Sequence, residues 1–209
     1  MPTTISKQQA RTDATRKRLL AAAERIFARD GFEAARLEDI AAQAGYTRGA
    51  FYANFDDKED IFFALLERYV AERIDEVNAL LERHKDPEEL LQALRSHYAR
   101  SAADRRLALL SLEFKLFAVR HPEAHARLRA RQHSMRACGG DFLRRITKNL
   151  GRTLRVSGEA AVTGLGALSN GLLLEHIFDP KTLPGDEMKH LLGMFFDAVL
   201  GPPARTQRN

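Results

Sequence analysis

The chain has 209 residues, 44% of them hydrophobic, with a formal net charge of +5. That length and apolar content support a packed core, in one medium domain or in a small domain beside a larger one. Cys138 is the single cysteine, so no intrachain disulfide can form; the opening MPTTISKQQARTD lacks the apolar run of a secretory leader and no stretch reaches the roughly 18 apolar residues of a membrane span, so a cytoplasmic protein without membrane contact is expected.

The charge is unevenly spread. Residues 1–36 carry eight Lys or Arg against four Asp or Glu, and a basic segment of this kind suits attraction to phosphates. Residues 1–11 read as a flexible arm able to reach a minor groove. The first helix is expected from Thr12 or Asp13, either of which can cap, to Asp30-Gly31. Leu19, Ala23, Ile26 and Phe27 form its buried stripe, and Arg16, Lys17 and Arg18 fall in its first turns as candidate phosphate contacts. A second, short amphipathic helix follows from about Leu37 to Ala44, with Leu37, Ile40, Ala41 and Ala44 recurring at helical steps until Gly45 stops it. In the third, Tyr46 to Phe55, the apolar Ala50, Phe51 and Phe55 turn inward, while Thr47, Arg48, Tyr52 and Asn54 project outward. Thr47 is placed to cap, and Gly49 leaves that end uncrowded. Two short helices around a Gly-containing turn make a helix-turn-helix, whose second helix fits the major groove of DNA. Spacing alone is weak evidence, because paired short helices occur in any all-α protein.

The wider stretch is more specific. Residues 27–60 read FARDGFEAARLEDIAAQAGYTRGAFYANFDDKED. Phe27, Gly31-Phe32, Asp39-Ile40-Ala41, Ala44-Gly45, Thr47, Gly49, Tyr52, Phe55 and Lys58-Glu59 stand at the offsets of the DNA-binding domain that this stretch resembles, that of TetR-family transcriptional regulators. Arg36 departs from the small hydroxyl residue usual before the second helix, and Asn54 from the commoner His. The resemblance implies an all-α protein: an N-terminal three-helix helix-turn-helix domain over residues 1–56, and a C-terminal helical ligand-binding and dimerisation domain over 57–201. It implies a double-stranded DNA operator contacted by residues among Lys17, Arg36, Thr47, Arg48, Gly49, Tyr52, Asn54 and Lys58.

Beyond Phe55, Asp56-Asp57 caps a long helix from Lys58 to Arg83, and His84 to Pro87 breaks it. A helix from about Pro87 to Ala102 carries Leu90, Leu91, Leu94 and Tyr98. The next, from about Asp104 to Arg120, carries Leu107, Leu110, Glu113, Phe114 and Phe117 until His121-Pro122 ends it. A basic helix runs from Glu123 to about Leu150. Residues 127–155 hold nine Lys or Arg against Asp141 alone, which reads either as a solvated face with long stems over apolar surface or as a site for an anionic effector such as an acyl-coenzyme thioester. Two more helices, about Glu159 to Phe178 and Asp186 to Leu200, precede a disordered tail at 202–209. No segment alternates as a strand does.

The last two helices point to self-association. Met188, Leu191, Phe195 and Val199 make one stripe and Leu192, Phe196 and Leu200 an adjoining one, a wider apolar face than a surface helix needs. The preceding helix sets a small-residue line of Ala160, Gly164, Ala167 and Gly171 beside a bulky line of Ala161, Leu165, Leu168 and Leu172. The expected homodimer interface comprises Gly164, Ala167, Gly171, Leu192, Phe195, Phe196 and Val199 in a four-helix arrangement, as in the family resembled. That family also implies a small-molecule effector, here apolar or amphipathic. Candidate lining residues are Tyr98, Leu110, Glu113, Phe114, Phe117, Phe142, Leu168 and Leu172, most of which also suit plain core. Glu113 interrupts an apolar stripe, so it meets either a ligand or an ion-pair partner such as Arg106 or Arg120.

Catalysis finds little support. His121 and His125 are four apart, but His121 precedes a proline and falls outside the regular helix a metal pair needs. Cys138 has no evident thiolate-stabilising neighbour, and no phosphate-cradling glycine loop occurs. Neither an enzyme nor a cofactor is expected. The reading is therefore a homodimeric repressor that binds a palindromic operator and is released by its effector. The alternative is a ligand-binding or helical enzyme-like module whose N-terminal domain only mediates protein contacts.

Overall fold

A computed structural model describes residues 7–202, apart from the side chains of residues 7, 9, 123–125, 127, 128 and 131. Every element among the described residues is a helix: α1 Lys7–Ala34, α2 Leu37–Gln43, α3 Arg48–Tyr52, α4 Lys58–Arg83, α5 Pro87–Ala102, α6 Arg105–Arg120, α7 Pro122–Asn149, α8 Gly158–Phe178 and α9 Gly185–Leu200. None is long and apolar enough to cross a membrane. Of the arm expected at 1–11, residues 7–11 belong to α1 instead; residues 1–6 of it and 203–209 of the tail lie outside the described residues, as do the side chains of His125, Arg127 and Arg131.

Two compact units divide the chain. One takes in the described residues up to Glu72 together with Glu113–Phe117; the other takes Arg73–Leu112 and Ala118 onward. The expected boundary at 56/57 therefore falls inside the first unit. The reason is packing: Ile61, Phe62, Phe63 and Leu65 of α4 are buried with Leu19, Ala22, Ala23, Ile26 and Phe27 of α1. Phe62 stacks on Phe114 of α6 at 4.3 Å between ring centroids and meets Phe32 edge-on at 5.0 Å.

The first helix starts earlier than expected and breaks where expected, at Gly31. It begins at Lys7 rather than at Thr12 or Asp13. Thr12 and Thr15 do not cap it; their hydroxyls donate to the carbonyls of Gln8 and Arg11, four residues back within the helix. At the other end Gly31 takes φ 77°, ψ 173° and kinks the chain before one last turn. The carboxylate of Glu113 accepts the Phe32 N–H at 2.7 Å, and a Cβ on Gly31 would stand 2.6 Å from that same oxygen. Glycine is thus favoured there by conformation, and a Cβ would also displace the Glu113 carboxylate from its bond.

In the second unit α8 packs against α7 and α9, and α5 against α9. Leu90 and Leu94 of α5, Leu143, Ile146 and Leu150 of α7, Ala161 and Leu165 of α8, and Phe196 and Leu200 of α9 share one core. Ala108, Leu173, Met188 and Leu192 share a second. Helix starts in this unit are locally encoded: Asp86 accepts from Glu88 and Glu89 N–H with Pro87 in the first turn, and Ser157 accepts from Ala160 N–H. The backbones of α7 and α8 come unusually close where a Cβ on Gly158 would lie 2.5 Å from the Gly140 carbonyl oxygen.

Candidate nucleic-acid interface

The helix-turn-helix is built from short-range bonds. At the end of α2, Gly45 N–H donates to Ala42 O at 3.0 Å and Tyr46 N–H to Ala41 O at 2.9 Å, while Gly45 takes φ 78°. That pairing closes the helix with a left-handed residue only glycine adopts without penalty. Thr47 then caps α3, its hydroxyl accepting Ala50 N–H at 3.3 Å. Arg36, in the position before α2, makes no side-chain cap.

Burial sets which side of α3 is free. Phe51 and Phe55 are enclosed in the core, so Thr47, Arg48, Gly49 and Tyr52 are left exposed. Arg48 is bonded along this surface: Nη1 meets Glu38 of α2 at 3.0 Å, and Nη2 donates to the Tyr52 hydroxyl at 3.2 Å. Lys17 and Arg36 are exposed as well. The face therefore offers hydroxyls and a guanidinium on a short rigid helix, the groups that bond phosphate oxygens and base edges.

Two expected contacts are placed otherwise. Asn54 does not project outward; its amide donates to Ala50 O at 2.8 Å, and its side-chain oxygen is buried without a partner. Its own carbonyl accepts from Arg16 Nη1 at 2.8 Å, and the Arg16 guanidinium lies 4.2 Å over the Phe55 ring. Arg16 thus anchors the end of the reading helix rather than standing free. Lys58 turns back on the α1–α2 junction, donating to Glu33 O at 2.8 Å and to Ala35 O at 3.3 Å beside the Phe32 ring. Burial there lowers its pKa. A long stem can curl toward unpaired carbonyls at a helix end, and spacing in sequence does not reveal that choice.

Tyr46 and Glu38 are the residues that sequence reasoning passed over. The Tyr46 hydroxyl lies 3.4 Å from that of Thr15, and with Arg11, Thr12 and Asn54 they line a groove between the start of α1 and α3. Glu38 and Arg48 lie on different helices, so no helical periodicity pairs them.

The eight candidate effector residues are shared between the two units. Glu113, Phe114 and Phe117 belong to the first unit, where Phe114 and Phe117 meet Phe32 at 5.3 and 5.0 Å. Glu113, expected to meet a ligand or an arginine, accepts the Phe32 N–H. In the second unit Tyr98 stacks on Phe196 and bonds Leu165 O and Ser169, Phe142 and Leu172 border the two cores, Leu110 is buried, and Leu168 is half-buried.

The candidate dimer residues also divide. Gly164, Ala167 and Gly171 of α8 are exposed, and Phe195 is 46% exposed, with Met194 and Leu174 likewise in contact with solvent. Leu192 and Phe196 are instead enclosed within their own chain, at 0% and 5%, and Val199 packs against the same core. The two α9 stripes were expected to act together. The second stripe, Leu192, Phe196 and Leu200, is enclosed, whereas the first is divided: Met188 is buried and Val199 packs on the core, while Phe195 stands in solvent.

The profile for "Bacterial regulatory proteins, tetR family" matches residues 19–65, and that for "BetI-type transcriptional repressor, C-terminal" matches residues 86–201. Among curated proteins, the HTH-type transcriptional repressor BepR of Brucella suis is 42% identical over 64 residues, 31% of either chain. Curated relatives of this kind are therefore matched over only about a third of their length. Among solved structures, SmeT, the repressor of the Stenotrophomonas maltophilia multidrug efflux pump SmeDEF, superposes with a TM-score of 0.60 at 25% identity, over 95% of this chain and 96% of that one. FadR from Bacillus subtilis, solved in complex with stearoyl-CoA, has a TM-score of 0.59 at 18% identity, over 88% and 97%.

Proposed function

The chain belongs to the TetR family of bacterial regulatory proteins, and on that premise we propose that it is a homodimeric transcriptional repressor that binds a palindromic DNA operator and is released by a small effector. The observation that carries this is the division of α3: Phe51 and Phe55 hold one side in the core, while Thr47, Arg48, Gly49 and Tyr52 stand in solvent on the other. Lys17 and Arg36 flank that face as phosphate contacts. Lys58 and Asn54 act indirectly, through the positions of α1 and α3.

Self-association is supported by the exposed small residues Gly164, Ala167 and Gly171 of α8 beside Phe195 and Met194 of α9. Small residues allow a partner helix to approach, and exposed aromatic surface is stabilised by burial. A two-fold pair of reading helices calls for half-sites about one DNA turn or a multiple apart. The effector is apolar or amphipathic, received by the second unit near Tyr98, Phe142, Leu168 and Leu172. An anionic acyl thioester is the second reading, favoured by the basic composition of residues 127–155 and by the stearoyl-CoA complex of a fold neighbour.

The test is binding of the full-length protein to DNA upstream of its own coding region across a salt series, with mass measured by light scattering. Affinity falls steeply with salt as phosphate counterions are released, and the complex contains two chains. Salt-independent binding, or one chain in solution, contradicts the proposal.

A further inference from the structure

Arg48 meets two partners on its own protein. Glu38, in the first turn of α2, pairs with Nη1 at 3.0 Å, and the Tyr52 hydroxyl, one turn along α3, accepts from Nη2 at 3.2 Å. The guanidinium also lies 5.4 Å from the centre of the Tyr52 ring. The Arg48 and Glu38 side chains are 63% and 53% exposed. An ion pair this exposed adds little to the stability of a fold, so stability does not explain a carboxylate on a face that meets a polyanion.

We infer that Glu38 is a positioning residue for base reading: it holds the Arg48 guanidinium ready for a guanine edge and opposes indiscriminate contact with phosphate. The inference rests on the reading face proposed above. A guanidinium is a planar fork, and recognition of guanine O6 and N7 uses two of its N–H groups at once. A free arginine must be ordered when DNA arrives, at a cost in entropy. Here Glu38 and Tyr52 hold two corners of the fork beforehand, and the rest of it is open to solvent.

The carboxylate has a second effect. Its repulsion by phosphates falls on every sequence alike, and it is offset only where a base completes the bonding of the guanidinium. Specificity gains from such a repulsive element as much as from a new attraction. Removing the charge while keeping the shape should therefore make the protein bind DNA more readily and choose less well.

The experiment uses the full-length protein, a duplex enriched by it from a randomised library, the same duplex with each G·C pair changed in turn, and a random-sequence duplex. Affinities are read by fluorescence anisotropy over a salt series, and urea unfolding monitors the fold. In E38Q the preference for the enriched duplex falls about tenfold at one G·C position. Random-sequence binding tightens, and its dependence on log salt steepens by about one. E38D keeps the charge but shortens the reach, so it loses preference at the same position without the change in salt dependence; it decides the matter should E38Q unfold early. R48A loses the same preference, and adding E38Q to it lowers the preference no further. If R48A loses preference at a G·C pair that E38Q and E38D still distinguish as wild type does, the role of Glu38 is refuted while the reading face stands. If R48A distinguishes every pair as wild type does, the reading face falls and the role of Glu38 with it.

Discussion

Helix α3 and the pair α8–α9 both present surface to solvent, but of opposite kinds. On α3 the apolar side chains Phe51 and Phe55 are enclosed, and what remains outside is hydroxyl, guanidinium and backbone. On α8 and α9 the enclosed set, Leu192 and Phe196 among it, is matched by an exposed one of Leu174, Met194 and Phe195. Water satisfies the first surface until a polyanion replaces it, whereas the second is satisfied only by another apolar surface. The chemistry left outside after the core is complete is what separates a nucleic-acid face from a protein face.

The sharpest way to break that contrast is to exchange the two sides of α9. Phe195→Asp should weaken the dimer by at least about a hundredfold, roughly 3 kcal/mol, read by sedimentation against concentration, while leaving monomer unfolding nearly unchanged. Leu192→Ala should do the reverse, costing about 3 kcal/mol in urea unfolding through a cavity in the core. If Phe195→Asp remains a dimer at micromolar concentration, the exposed side of α9 is not the interface.

Smaller effects sharpen the other half of the comparison. Gly31→Ala should cost about 2 kcal/mol in urea unfolding, because alanine is strained at φ 77° and its Cβ would crowd Glu113. Thr47→Ala should cost about 1 kcal/mol by loss of the α3 cap, and Thr47→Ser should restore most of it. Asn54→Asp should change DNA affinity by less than about tenfold, since its side chain bonds Ala50 O rather than facing outward; a loss of about a hundredfold or more, with unfolding unchanged, would return Asn54 to the DNA-contacting set.

Legibility in the sequence followed the range of the interactions. The α2–turn–α3 motif rests on bonds between residues a few positions apart: Gly45 closing α2, Thr47 capping α3, Phe51 and Phe55 at one helical turn. Each leaves a local signal, and so do Pro87 and Ser157 at their helix starts. The side chains misplaced from sequence are the long charged ones. Lys58 reaches back to Glu33 and Ala35, and Glu113 reaches Phe32, 81 positions away. Their destinations are backbone groups freed by the kink at Gly31, and periodicity carries no record of a backbone acceptor or donor in another element. The packing of Phe114 and Phe117 on Phe32 is hidden for a related reason, since an apolar stripe states that a residue is covered but not by what. The two stripes of α9 show the same gap: their width is legible, but not that Met188 is enclosed with Leu192 and Phe196 while Phe195 faces solvent.

The account depends most on Arg48 and its neighbours entering duplex DNA. The direct measurement is the affinity of Arg48→Ala, beside wild type, for a duplex enriched by the wild-type protein and for a random-sequence duplex at one fixed salt concentration. The account predicts a loss of about tenfold or more on the enriched duplex and a much smaller loss on the random one. Equal affinities of the variant and the wild type on both duplexes would contradict it.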